Sequence, residues 1–262
     1  MIPQIICSTC GTYYRAAGAP ALCTICNEER QYIPEGGQRW THPEELNRHH
    51  SIRVNKLHNR LCELEIVPTF AIGQRAMLVR SPEGNILWDC IPLLDEATTA
   101  FIRSVGGLRA IAFSHPHYYS NMNDWAETFN CPVYIHQHDA AHIVQHGPAI
   151  RPWSGNELSL WDGMRLILIG GHFEGSSILH VPFLSKQGSI LCGDTLFLSP
   201  SKKHFSVQRS YPNKIPLPTN EMRRISDRLE SIPFDAFYGY IRTQNLTEDV
   251  KEILRVSMAR YL

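Results

Sequence analysis

The chain lacks any apolar run near the roughly 18 residues that a membrane-spanning helix needs, so no span is expected. It also lacks a charge excess. Lys and Arg number 25, as do Asp and Glu, so overall charge gives no reason to expect nucleic acid as a partner. Its opening residues, MIPQIICSTC, hold no basic stretch ahead of a long apolar one, so no secretory leader and a cytoplasmic location are expected. Repeats and low-complexity tracts are missing too. Charged residues are sparse at 19%, but 43% hydrophobic residues exclude a chain disordered throughout. A length of 262 residues suits one large domain, or one plus a small module.

Eight cysteines are too dilute for a disulfide scaffold, but four are clustered. Cys7 and Cys10 form one C-x2-C knuckle, and Cys23 and Cys26 form a second after twelve intervening residues. Two knuckles supply four thiolates in a tetrahedron, which suits zinc, with iron as the alternative. Such a closed site leaves no open position for substrate, so its expected role is structural. This reads as a zinc-ribbon module over residues 1–38, with Pro34-Glu35-Gly36-Gly37 as exit loop and a protein partner as a further use. Cys62, Cys90, Cys131 and Cys192 lie in apolar, strand-like contexts and are expected to be core thiols.

Residues 39–62 read as a linker helix running from His42 to about Leu61. Thr41 and Glu44 have capping-box spacing, Pro43 suits the first turn, and Leu46, His50, Val54, Leu57 and Leu61 make one stripe. From residue 63 to 262, strand-like and helix-like segments alternate, and some strands come in hairpin-like pairs. This predicts an α+β domain with helices covering sheets on their outer faces.

Histidines and one aspartate recur at strand ends in this domain. His115 and His117 follow the strand LRAIAFS, and residues two apart in extended chain project to one side. His172 follows ILIGG, and Asp194 follows SILCG. Three imidazoles and a carboxylate make a credible metal site. Spacing alone leaves open the plainer reading of separate loop residues.

Four motifs in order resemble the metallo-β-lactamase superfamily: Asp89 in GNILWDC, SHPHYYS, GGHFEGSS and CGDTLF. The resemblance implies an αββα sandwich over 63–262, with a metal at one edge of two facing sheets. It implies His115, His117, His172 and Asp194 as ligands and Asp89 as a structural residue. The departures are equally specific. Tyr119 and Ser120 replace the aspartate and histidine that normally serve a second metal, and Gly239-Tyr240 stands where the family often has a late histidine. Tyr119 and Tyr240 would ligate only as phenolates, which an ordinary pKa near 10 disfavours.

One metal, zinc or alternatively iron, or none is therefore expected in the pocket. The implied activity is hydrolysis of a small-molecule ester, thioester, lactone or amide, with Asp194 catalytic as ligand or as acceptor of the water's proton. Two alternatives stand beside it. One is a mononuclear iron oxygenase acting on a sulfur substrate through His115, His172 and Asp194; the other is a degenerate, non-catalytic metal-binding protein. Asp124 is a candidate replacement for the missing carboxylate, or simply solvated. Arg209 and His204, in the Pro-rich stretch after the fourth motif, are candidate substrate-binding residues, or part of a solvated loop. His138, His142 and His146 are expected on one exposed helix face.

Overall fold

The computed structural model describes residues 4–15 and 18–262. The parts of the expected 1–38 module at residues 1–3 and 16–17 lie outside the described residues. Strands β1 (Gln4–Cys7), β2 (Tyr13–Arg15) and β3 (Trp40–Thr41) form a small antiparallel sheet in the order β2-β1-β3. Helix α1 (Pro43–His49) follows.

The predicted helix over 42–61 is corrected here. It stops at His49, and its remainder is a hairpin of β4 (Ser51–His58) and β5 (Leu61–Val67). Ser51-Ile52-Arg53-Val54-Asn55 alternates polar and apolar with period two, and its β-branched residues suit a pleated surface. Ile52 and Val54 accordingly pack on one face of the sheet. Leu57, three residues after Val54, falls on the opposite face and packs in the opposite cluster, beside a register shift between Lys56 and His58. The capping box is also absent: His42 is the N-cap without a side-chain hydrogen bond, and Thr41 belongs to β3.

Strands β4 and β5 open a seven-stranded sheet continued by β6 (Arg75–Val79), β7 (Ile86–Trp88), β8 (Ala110–Ala112), β9 (Val133–His136) and β10 (Ile150–Trp153). Pairing is antiparallel from β4 to β7 and parallel from β7 to β10. The parallel crossovers carry α2 (Glu96–Ser104) and α3 (Met122–Phe129). Helix α2 is capped by Asp95, whose side chain accepts from Thr98 N at 2.7 Å.

The second sheet comprises β11 (Glu157–Ser159), β12 (Arg165–Leu168), β13 (Ser177–Val181) and β14 (Ser189–Cys192). Two short hairpins follow, β15 (Phe197–Leu198) with β16 (Phe205–Ser206) and β17 (Gln208–Ser210) with β18 (Ile215–Pro216). After α4 (Thr219–Glu230), strands β19 (Ala236–Tyr238) and β20 (Asn245–Leu246) complete the six-stranded order β11-β12-β13-β14-β19-β20. Helix α5 (Val250–Met258) ends the fold.

Period-two side chains explain the layering. Met77, Val79, Ile86, Trp88, Ala110 and Ala112 of the first sheet meet Leu166, Leu179, Val181 and Leu191 of the second in one buried cluster. The intervening residues Leu78, Leu87 and Ile111 face outward and are covered with Ile102 of α2 and Trp125 of α3. Ile167, Ile178 and Ile190 are likewise covered by Met222, Ile225 and Leu229 of α4 and Leu254 of α5. Strands buried on both faces read as continuous apolar runs, as these do. The result is the αββα sandwich, preceded by the four-cysteine module. Cys62, Cys90, Cys131 and Cys192 are buried in the apolar clusters, as expected. Among the described residues, no helix is long and apolar enough to cross a membrane.

Candidate metal centre

In the small module, the thiols of Cys7, Cys10, Cys23 and Cys26 lie within 4.8 Å of one another, all buried. Gln38 Nε2 donates to Cys7 Sγ and the Tyr14 hydroxyl to Cys23 Sγ, each at 3.2 Å. Donors aimed at sulfur suit thiolates, and four buried thiolates fit a tetrahedral cation.

The second cluster forms at one edge of the sandwich. His115 leaves β8 in extended conformation, and Pro116–Tyr118 then makes a 3-10 turn. That turn corrects the extended-chain expectation for His117, which reaches the same point through Nδ1 where His115 uses Nε2. His172 arrives from the loop after β12, and Asp194 from the turn after β14. The facing atoms of all four lie within 4.8 Å of one another. Asp194 Oδ2 is 3.4 Å from His115 Nε2 and 3.8 Å from both His117 Nδ1 and His172 Nε2.

The ring tautomers follow from what lies behind them. Ser114 Oγ donates to Asp89 and stands 2.8 Å from His115 Nδ1, so it can accept that proton and leave the Nε2 lone pair forward. The resemblance's structural role for Asp89 takes this form: its Oδ1 also accepts from Ser114 N at 2.7 Å. His172 Nδ1 donates to the Arg209 carbonyl at 2.8 Å, which frees its Nε2 in the same way. Asp194 packs close because Gly193 precedes it. A Cβ there would fall 2.2 Å from Ser114 Oγ and 2.6 Å from His115 Nδ1.

Burial pushes His117 down to about 4 and His172 well below its ordinary value, so both rings are neutral at pH 7. Burial opposes ionisation of Asp194, but the histidines that face it, when they carry or donate a proton, hold the carboxyl well below the usual range. Neutral imidazoles and a carboxylate are the donor set a divalent cation needs. His115 Nε2 is fully buried and makes no hydrogen bond among the described residues, the orphaned state of an atom shaped for a ligand.

The other candidates are placed elsewhere. Tyr119 packs edge-on against Phe113 in the outer core, and Ser120 Oγ donates to the Gly11 carbonyl of the small module at 2.9 Å. Tyr240 is stacked on Tyr118. Asp124 pairs with Arg15 at 2.6 Å and accepts from Gln4, so it joins the module to α3. The Arg209 guanidinium is engaged by Glu29 of the module, and its carbonyl accepts from His172 Nδ1. His204 lies in the β15–β16 turn, where its backbone N donates to Ser199 Oγ at 3.2 Å. It makes no hydrogen bond to the cluster among the described residues. The expected helix bearing His138, His142 and His146 is a 3-10 turn over Gln137–His142 only. There Asp139 turns inward and accepts from Gly175 N at 2.7 Å, bracing the His172 loop.

Three neighbours carried no signal in the sequence. Tyr118, between His117 and Tyr119, donates its hydroxyl to Asp194 Oδ1. Arg30 of the module is buried, donates through Nε to the His172 carbonyl and stacks 4.2 Å over the Phe173 ring. Gln31 follows it, with Nε2 3.4 Å from His117 Nδ1.

The chain is similar over its whole length to a protein of Bacillus subtilis (strain 168), "Uncharacterized protein YmaE", at 36% identity with 96% of that protein covered. The two belong to one family. No family model matches the chain. Among solved structures, the DIM-1 metallo-β-lactamase superposes with a TM-score of 0.60 at 13% identity, covering 81% of this chain and 99% of that one. TMB-1 superposes with 0.58 at 15% identity, covering 80% and 98%. This member of the YmaE family therefore has the metallo-β-lactamase fold, and its buried cluster lies at the sandwich edge.

Proposed function

We propose that this YmaE-family chain is a single-metal hydrolase acting on the carbonyl of a small-molecule ester, thioester, lactone or amide, with zinc in both clusters. The observation that carries this reading is the meeting of three imidazoles and one carboxylate around a point where His115 Nε2, among the described residues, makes no hydrogen bond. A divalent cation held there supplies Lewis acidity and lowers the pKa of water towards 7.

The chain's own residues account for the rest. With Oδ1 of Asp194 held by Tyr118, its Oδ2 has a fixed direction; with the three imidazoles as ligands and the fourth position left to water, it would orient that water and take its proton. Burial pushes the Tyr118 phenol well above its ordinary value, so it acts as a neutral donor. Tyr119 and Ser120 are turned to the core and the module, so they offer no donors for a second cation. That disfavours two-metal phosphoryl chemistry and favours a substrate developing one oxyanion.

The test is a panel of ester, thioester, lactone and phosphodiester substrates on the wild type and His172→Ala. Turnover of an acyl compound, lost on substitution, is expected. Turnover unchanged by the substitution, or oxygen consumption with a persulfide in its place, overturns the reading.

A further inference from the structure

The metal cluster is closed on one side by the four-cysteine module. His115, His117 and His172 are each only 1% exposed, and Asp194 is 8% exposed. The segment Glu28–Gln31, which starts two residues after Cys26, lies against this edge. Glu29, Arg30 and Gln31 are each fastened to the sandwich. Arg209 holds the Glu29 carboxylate, and Asn213 Nδ2 donates to the Glu29 carbonyl at 2.8 Å and to the Gln31 carbonyl at 2.7 Å. Ser210 Oγ donates to the Arg30 carbonyl at 3.0 Å. Arg30 is tied to Glu28, to the His172 carbonyl and to the Phe173 face.

Gln31 is the point of closure. It is 9% exposed, and its carboxamide touches His117 on one side. On the other side it lines a groove of 580 Å³ formed with Ser8, Thr9, Tyr32, Arg39 and Ala71. Among the described residues, no other lining residue of that groove belongs to or hydrogen-bonds the histidine–aspartate cluster. One flexible, neutral side chain thus stands between an open cavity and the buried ligands. A carboxamide can both donate to and accept from an acyl group, and it presents no charge to a cation.

We infer that the module is a wall of the reaction pocket and that Gln31 is its gate and positioning residue. Substrate reaches the metal edge along the groove between module and sandwich, displacing the Gln31 side chain from its place beside His117. This rests on the hydrolase reading only for what passes the gate. The closure itself is a matter of access.

The full-length protein loaded with cobalt(II) tests this. The four-thiolate site is marked by sulfur-to-cobalt charge-transfer absorption, and the pocket by weaker visible bands alone. On addition of excess EDTA, Gln31→Ala should lose pocket cobalt at least about tenfold faster than wild type, its module signal decaying as in wild type. Gln31→Met, which restores side-chain length without the amide, should restore slow loss while shifting the pocket's visible spectrum. Equal pocket loss in wild type and Gln31→Ala overturns the inference. If the wild-type pocket takes no cobalt, the hydrolase reading fails, and access is read on the same proteins by diethyl pyrocarbonate. Acylation of His117, mapped by mass spectrometry, should then be about tenfold faster in Gln31→Ala, and equal rates reject the gate.

Discussion

Tyr118 donates its hydroxyl to Oδ1 of Asp194, leaving Oδ2 as the oxygen that faces His115, His117 and His172. A carboxylate held at one oxygen is directional at the other. Tyr118→Phe keeps the ring packing on Tyr240 but removes this restraint. It should weaken pocket metal binding by about 10–100-fold, measured by competition with a chelator, and leave the four-cysteine site unchanged.

Asp139 braces the His172 loop through Gly175, where a Cβ would fall 2.5 Å from the Asp139 carboxyl carbon. Burial, opposed by the Gly175 hydrogen bond and by Arg30, pushes this carboxyl up to about 7. The folded state then holds the proton more tightly than the unfolded chain, whose carboxyl titrates near 4. Its contribution to stability is complete below about pH 4 and is lost as pH rises through about 7. Urea unfolding should show this as a decline of at most about 4 kcal/mol across that window, absent in Asp139→Asn.

Arg75 and Glu63 form an ion pair in the sandwich interior, and Arg75 also donates to the Gly239 carbonyl and to Asn245. Arg75→Ala strands the Glu63 carboxylate and frees the strand that leads to Tyr240. Denaturant titration should show a loss of about 3–5 kcal/mol. A Glu63→Gln change in the same background should recover part of it.

Arg30→Ala removes the Phe173 stacking and the donor to the His172 carbonyl together. Hydrogen exchange should rise at residues 170–176, beyond any rise in the core strands. Unchanged protection there would show that the module does not hold the loop.

The sequence exposed the parts of this molecule that are local. The two cysteine knuckles, the strand-end ligands and the apolar runs of β6, β7, β8, β13 and β14 are contiguous signals, and each found its place. Residues 50–61 misled because Leu46, His50, Val54, Leu57 and Leu61 fit a helical stripe by spacing, while Ile52 and Val54 fit a strand. Tertiary pairing with β5 decided between them. For Arg209 and Asp124 the hidden part was the partner. Each charge finds its partner on the module, Glu29 and Arg15, more than a hundred residues away, and no local pattern announces that. Gln31 was invisible on the same ground, because only the docking of the module brings it to His117.

Metal content per chain, measured on protein purified without added metal, tests the central claim most directly. About two zinc ions are predicted for the wild type, and about one for His172→Ala, with the remaining ion in the four-cysteine site. A wild type carrying metal in the cysteine site alone, unchanged by His172→Ala, would contradict the account.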